Sequence, residues 1–202
     1  MENRHVIWHE GYVTRRDREQ KNKHKSLLVW FTGLSAAGKS TIAHLVEKEL
    51  FERGIRSYVL DGDNIRHGLN SNLGFTREDR MENLRRVAEV SKLMVDAGIL
   101  VLAAFISPFR EDRAYVRGRF ETGDFLEVYV KCPIEVCEKR DPKGQYKKAR
   151  AGIIKNYTGI SAPYEEPENP ELVIDTGKLD FESSMRKMVD RLAERNVITQ
   201  WP

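Results

Sequence analysis

Gly33–Ser40 reads GLSAAGKS, and it directly follows the apolar run Leu27–Phe31, LLVWF. A glycine, four residues and then Gly-Lys-Ser describe a strand that turns sharply into a helix while several backbone N–H groups point into one cavity. Glycine permits the backbone angles and the close approach that such a turn needs. The helix N-terminus adds its positive dipole end, so the cavity suits phosphate. In this pattern Lys39 reaches the β- and γ-phosphates of a nucleotide, and the Ser40 hydroxyl serves Mg²⁺. The context agrees. A β-rich run precedes the loop, and Thr41–Arg53 follows with Ile42, Leu45, Val46 and Leu50 at helical spacing. The competing reading is a glycine-rich turn with no ligand.

The chain has 202 residues, which fits one domain with a sizeable core. Its 34 basic and 31 acidic residues nearly cancel, so overall charge does not point to nucleic acid. Cys132 and Cys137 stand five positions apart, which matches neither a redox CxxC nor a zinc pair. They read as packed thiols of a reducing compartment. No stretch approaches 18 apolar residues, and Met1–Ser26 is basic without an apolar core, so neither a membrane span nor a secretory signal is expected. Cytoplasmic localisation follows as the default. Residues 1–26 read as a semi-ordered arm with Trp8 packed on the body, and 27–202 as a single domain.

Further strands are expected at Arg56–Leu60, Ile99–Phe105, Leu126–Lys131 and Leu172–Asp175. Helices are expected from Thr76 to Ala97, from about Arg110 to Arg119, up to Arg140, and from Phe181 to Arg195. Strand alternating with helix gives a parallel sheet covered on both faces, a three-layer α/β/α fold with five strands.

The candidate polar sites all follow strand ends, where ligands bind in open α/β sheets. Strand two ends in Asp61-Gly62-Asp63-Asn64. A carboxylate there can serve Mg²⁺ or take a proton from an attacking hydroxyl. Asp63 is the first choice, and Asp61 reads as a brace of the loop; two solvated turn residues are the bland alternative. Arg77, Arg80 and Asn83 recur at a spacing of three, which suits either an anion grip or a solvated face. Strand three runs into Ile106-Ser107-Pro108, where Ser107 is a nucleophile or a hydrogen-bond donor. No histidine nearby in sequence activates it, which favours the donor. From Lys139 to Lys155 seven basic residues meet only acidic Asp141, with Gly144, Gly152 and Gly159 interspersed. That is a mobile basic lid over phosphates at about 141–159, or a solvated helix that touches nucleic acid.

These residues resemble the adenylylsulfate kinase family. The stretches that carry the likeness are WHEGYVTRRDR (Trp8–Arg18), VWFTGLSAAGKST (Val29–Thr41), LDGDNIRHG (Leu60–Gly68), LGFTREDRMENLRRVAEVSKL (Leu73–Leu93), FISPFREDR (Phe105–Arg113) and Val136–Gly159, which runs through DPKGQYKKARAG. The resemblance implies a P-loop kinase that converts MgATP and adenosine 5′-phosphosulfate to ADP and 3′-phosphoadenylylsulfate, and a homodimer that binds neither nucleic acid nor membrane. It implies that Gly33, Leu34, Ser35, Ala36, Ala37, Gly38, Lys39, Ser40, Thr41 and Arg140 bind ATP. Asp63 is the essential carboxylate near Mg²⁺ and the ribose 3′-hydroxyl, and Ser40 joins it at the metal. Arg66, Arg80 and Asn83 hold the phosphosulfate. Phe75 and Tyr157 sandwich the adenine, with Ile106 and Lys155 also at the substrate. Ser107 aligns with a serine assigned as a phosphoserine intermediate.

Two departures stand out. Ala36 replaces the usual loop glycine, which costs energy if that position is left-handed. Tyr157 replaces the usual phenylalanine, which keeps the ring and adds a hydroxyl. Competing readings are another small-molecule kinase, a nucleotide-dependent nucleic-acid-binding module, and a catalytically silent relative.

Overall fold

A computed structural model describes Ile7 and residues 9–199. Among the described residues, β1 (Leu28–Thr32), β2 (Ser57–Asp61), β3 (Leu100–Ala104), β4 (Phe125–Lys131) and β5 (Leu172–Asp175) form one sheet in the order β2-β3-β1-β4-β5. Every pairing is parallel. β1 and β3 are buried at every position, which explains their unbroken apolar sequence.

Seven α-helices surround the sheet among the described residues: α1 (Arg15–Asn22), α2 (Lys39–Glu52), α3 (Arg77–Asp96), α4 (Arg110–Arg117), α5 (Ile134–Arg140), α6 (Gln145–Arg150) and α7 (Phe181–Glu194). The core splits by strand alternation. Val29 and Phe31 pack with Ile42, Val46, Met188 and Leu192 from α2 and α7. Leu28 and Trp30 pack with Leu84, Val87 and Val116 from α3 and α4. The expected three layers are therefore present, and strand and helix ends fall within a few residues of the sequence reading.

The N-terminal arm differs from expectation. Thr14 and Asp17 form a reciprocal capping box that starts α1, a helix with no buried residue. Polar ties fix it to the body. Arg15 clamps the Asp124 carboxylate, with Nη2–Oδ1 at 2.9 Å, and Asn22 Nδ2 donates to Gly98 O at 3.0 Å. A helix without an apolar stripe gives no periodic signal, so the sequence reads only as a semi-ordered arm. The expected packing of Trp8 lies outside the described residues.

The basic segment also contains a helix. α6 is capped by Asp141, whose oxygens accept from Gln145 N (2.8 Å) and Lys147 N (3.2 Å). Buried Tyr146 on α6 donates to Ser35 O at 3.0 Å, docking the segment on the loop after β1. No helix among the described residues is long and apolar enough to cross a membrane.

Candidate active site

The loop between β1 and α2 is shaped by two close approaches. A Cβ on Gly33 would lie 2.4 Å from Val130 O, and one on Gly38 would lie 2.5 Å from the Phe181 ring. Any side chain there would push the loop off β4 or α7. Ala36 between them is left-handed at φ 59°. That conformation costs an L-residue about 1–2 kcal/mol, so the loop carries strain where a glycine would carry none.

Lys39 is buried, and its Nζ donates to Gly33 O (3.0 Å) and Leu34 O (2.7 Å) across the loop. Burial pushes its pKa down to about 8. Arg140 braces the loop from the α5 side rather than projecting freely. Its Nη2 donates to Thr176 O at 2.7 Å, Nη1 lies 3.5 Å from Ala36 O and Ala37 O, and the guanidinium sits 5.3 Å from the Phe181 ring centre. Thr176 Oγ1 in turn donates to Ala37 O at 2.7 Å.

The two aspartates at the carboxyl end of β2 have different partners. Asp61, nearly buried, accepts from Ser40 Oγ at 2.5 Å with one oxygen. Its other oxygen accepts from Asp63 N (2.9 Å) and Asn64 N (3.3 Å). The carboxylate in contact with Ser40 is therefore Asp61 rather than Asp63. The turn that Asp61 ties down carries the Asp63 side chain away, where it pairs with Lys143 of the basic segment. A hydroxyl and a carboxylate are hard oxygen donors of the kind Mg²⁺ takes, alongside phosphate oxygens and water. The donor set at Ser40 and Asp61 fits that ion.

Arg66, Phe75 and Arg80 come together at the start of α3. Both guanidiniums lie against the Phe75 ring, at 4.4 and 6.0 Å from its centre. Arg66 Nη1 donates to Leu73 O and Gly74 O, and Arg80 Nε donates to Phe75 O. Neither has an ion pair among the described residues. Burial lowers both pKa values, and for Arg80 the neighbouring Arg66 lowers it further. Asp63 and Asp79 act on Arg66, and Asp112 on Arg80, only from beyond ion-pair contact, so two guanidiniums are crowded here without a directly bonded carboxylate.

Other predicted residues have different surroundings. Asn83 is buried, and its Oδ1 accepts from Asn70 Nδ2 at 3.0 Å. Phe75 is exposed, while Tyr157 packs edge-on against Tyr146 at 5.1 Å. The two rings of the expected sandwich thus have separate partners here. Lys155 is exposed beyond α6.

Ser107 is held from three sides. Its Oγ accepts from Trp30 Nε1 (3.0 Å) and donates to Thr32 Oγ1 (3.1 Å), while its carbonyl accepts from Arg113 Nη1 (2.7 Å). Thr32 Oγ1 also donates to Ile106 O at 2.8 Å. Ser107 is buried and has a positive φ of 38°. None of its Oγ partners is a base, so the hydroxyl lacks the activating group a nucleophilic serine needs.

Sequence reasoning counted Lys143 only as one of the basic residues of the segment and passed over Tyr146 and the Trp30–Thr32 pair. Nothing in their local pattern marks them; each matters through a partner far along the chain.

A family model described as Adenylylsulphate kinase matches residues 25–175. A probable adenylyl-sulfate kinase of Halalkalibacterium halodurans is 62% identical over 91% of this chain and 91% of its own length. The adenylyl-sulfate kinase of Staphylococcus carnosus is 57% identical over 98% of this chain and 100% of its own. Among solved structures, the Mycobacterium tuberculosis APS kinase CysC in complex with AMPPNP and APS superposes with a TM-score of 0.80. It is 49% identical and covers 84% of this chain and 98% of that one.

Proposed function

The chain belongs to the adenylylsulfate kinase family and is an ATP-dependent phosphotransferase acting on an alcohol; on that premise we propose how its residues divide the work. The reaction moves the γ-phosphoryl of ATP to the 3′-hydroxyl of adenosine 5′-phosphosulfate, a step of sulfate assimilation. The observation that carries the acceptor assignment is the unpaired Arg66–Phe75–Arg80 cluster, which offers two cations and an exposed aromatic ring side by side. An anionic nucleotide presents the complementary phosphosulfate and base.

The loop Gly33–Thr41 cradles the ATP phosphates on backbone N–H groups. Lys39 leaves its two carbonyl partners for phosphate oxygens, and Arg140 keeps the loop in shape. Mg²⁺, when bound, neutralises phosphate charge, and Ser40 with Asp61 would hold it. Asp63 accepts the proton of the 3′-hydroxyl as that oxygen forms its bond to phosphorus and the bond to ADP breaks. Little covalent chemistry is asked of the protein; positioning and charge stabilisation dominate. Asn83, Ile106, Ser107, Lys155 and Tyr157 complete the acceptor side, with Ser107 shaping the backbone through Trp30 and Thr32. Segment 141–159 acts as a lid that opens at Gly144, Gly152 and Gly159. A cytoplasmic homodimer is the setting the family resemblance supports.

An ADP-release assay over a panel of acceptors tests this. Adenosine 5′-phosphosulfate is expected to give at least 100-fold higher turnover than AMP, adenosine or a sugar acid. Equal or greater turnover with one of the others would replace the acceptor assignment.

A further inference from the structure

Asn70 is fully buried, yet only half of its side-chain amide is used. Its Nδ2 donates to Asn83 Oδ1 at 3.0 Å, while its own Oδ1 has no hydrogen-bond partner among the described residues. We propose that Asn70 is a positioning residue for the acceptor site. It fixes the amide of Asn83 so that Asn83 presents N–H donors, and not an oxygen, to the anion held by Arg66 and Arg80. The proposal rests on the acceptor assignment above.

The two amides admit two arrangements. In the one observed, Asn70 donates and Asn83 accepts, so the Asn83 amino group stays available. Asn83 keeps 5% of its surface exposed, and its Nδ2 has no partner among the described residues without being sealed from solvent as Asn70 Oδ1 is. With both amides reversed, Asn83 Nδ2 would be taken up by Asn70 Oδ1, and Asn83 would show its carbonyl oxygen instead. Either arrangement leaves one polar atom of Asn70 unpaired, so the needs of Asn70 do not choose between them. What differs is the polarity that Asn83 offers. An N–H group attracts an anion, and a carbonyl oxygen repels it.

The backbone around Asn70 ties the same parts together. Asn83 lies three residues after Arg80 on α3, so the two share a helix face. Asn70 reaches α3 from the segment that follows Arg66. Its N–H donates to Ile65 O at 2.9 Å, and its carbonyl accepts from Leu73 N at 3.1 Å, next to the Leu73 O that Arg66 Nη1 holds. One buried residue thus joins the Arg66 segment to the Asn83 helix. Full burial keeps Asn70 itself from touching a ligand, so it acts through Asn83. A second tie of this loop, Arg86 Nη1 to Asn72 Oδ1 at 2.7 Å, does not involve Asn83 and supplies a control.

Asn70→Asp keeps the side-chain shape and removes the donor. The new carboxylate takes Asn83 Nδ2 as its partner and turns the Asn83 oxygen toward the anion. Steady-state rates with MgATP and adenosine 5′-phosphosulfate are compared for wild type, Asn70→Asp, Asn70→Ala, Asn83→Ala, the double alanine variant and Asn72→Ala, after thermal melting shows each to be folded. Asn70→Asp and Asn83→Ala are each expected to raise KM for adenosine 5′-phosphosulfate about tenfold or more, as losing a hydrogen bond to a charged group does, with KM for ATP within about threefold of wild type. Asn70→Ala should raise the same KM alone, yet change it by less than about twofold in the Asn83→Ala background, because the two residues act as one unit. Asn72→Ala should leave both KM values within about threefold of wild type. Equal shifts in both KM values for Asn70→Asp overturn the proposal. So does a full, additive effect of Asn70→Ala on top of Asn83→Ala, or a rise for Asn72→Ala as large as that for Asn70→Ala, either of which would make Asn70 a loop brace only. If Asn70→Asp does not fold, the alanine cycle decides by the same comparison. Failure of the wild type to phosphorylate adenosine 5′-phosphosulfate would instead reject the assigned reaction.

Discussion

The Ser40 hydroxyl donates to the Asp61 carboxylate at 2.5 Å, while Asp63, two residues on, faces Lys143. One turn thus gives two neighbouring carboxylates different partners, Ser40 of the phosphate loop and Lys143 of the basic segment. Asp61→Asn is predicted to reduce activity 10- to 100-fold and to raise the Mg²⁺ concentration for half-maximal rate, as losing an anionic donor does. Asp63→Asn should reduce kcat at least as far with an unchanged Mg²⁺ requirement. Mg²⁺ titrations of both variants check this; identical Mg²⁺ curves would remove the division.

Ser107→Ala is predicted to keep at least a tenth of wild-type kcat, whereas Asp63→Ala and Lys39→Ala lose about 100-fold or more. The serine's cost should appear in stability instead. Removing Oγ leaves the buried Trp30 Nε1 without its partner, worth about 1–3 kcal/mol. Denaturant melts and steady-state rates measure the two effects separately. A dead Ser107→Ala, with phosphate trapped on Ser107 of the wild type, would support a phosphoenzyme instead.

Lys39 sets a pH dependence. Its pKa in the folded protein is about 8, below the ordinary lysine value, because burial disfavours the charged form. The charged form of Lys39 is therefore lost as pH rises through 8, and if Lys39 meets ATP as proposed, kcat/KM for ATP should fall tenfold per pH unit above it. The stability sign is opposite. Between about 8 and the unfolded lysine pKa the unfolded chain binds more protons, so this group makes the free protein more stable as pH rises through that window. Lys39→Met should flatten that rise in stability.

Ala36 sits at φ 59°, and Ala37 is buried without a positive φ. Ala36→Gly should relieve about 1–2 kcal/mol of strain and lose part of it to chain entropy, for a net stabilisation of about 0.5–1 kcal/mol. Ala37→Gly should destabilise, since it adds entropy and removes a buried methyl. Chemical denaturation of the pair decides; destabilisation by Ala36→Gly would contradict the strain assigned to this turn.

Sequence read best where a signal is local. The strand–loop–helix around Gly33–Ser40, the apolar strands and the α3 start at Thr76 are all encoded within a few residues. The anion cluster was half legible: Arg66, Phe75 and Arg80 were marked, but not that both guanidiniums share one ring. Asp61 was read as a brace, which it is, yet its second oxygen on Ser40 depends on how β2 sits across β3 from β1. Lys143, Tyr146 and Trp30 gain their roles from partners 77 to 111 residues away, and no window of sequence contains both members. α1 escaped because salt bridges and a capping box, rather than apolar periodicity, hold it.

The most direct test of the central claim follows the fate of one phosphate. Purified protein is given MgATP and adenosine 5′-phosphosulfate, and the products are resolved by ³¹P NMR. The account predicts ADP together with a new phosphomonoester coupled to the ribose 3′ position, in equal amounts, with the phosphosulfate intact. ADP and free phosphate without that monoester, or a phosphate placed on any other oxygen, would contradict it.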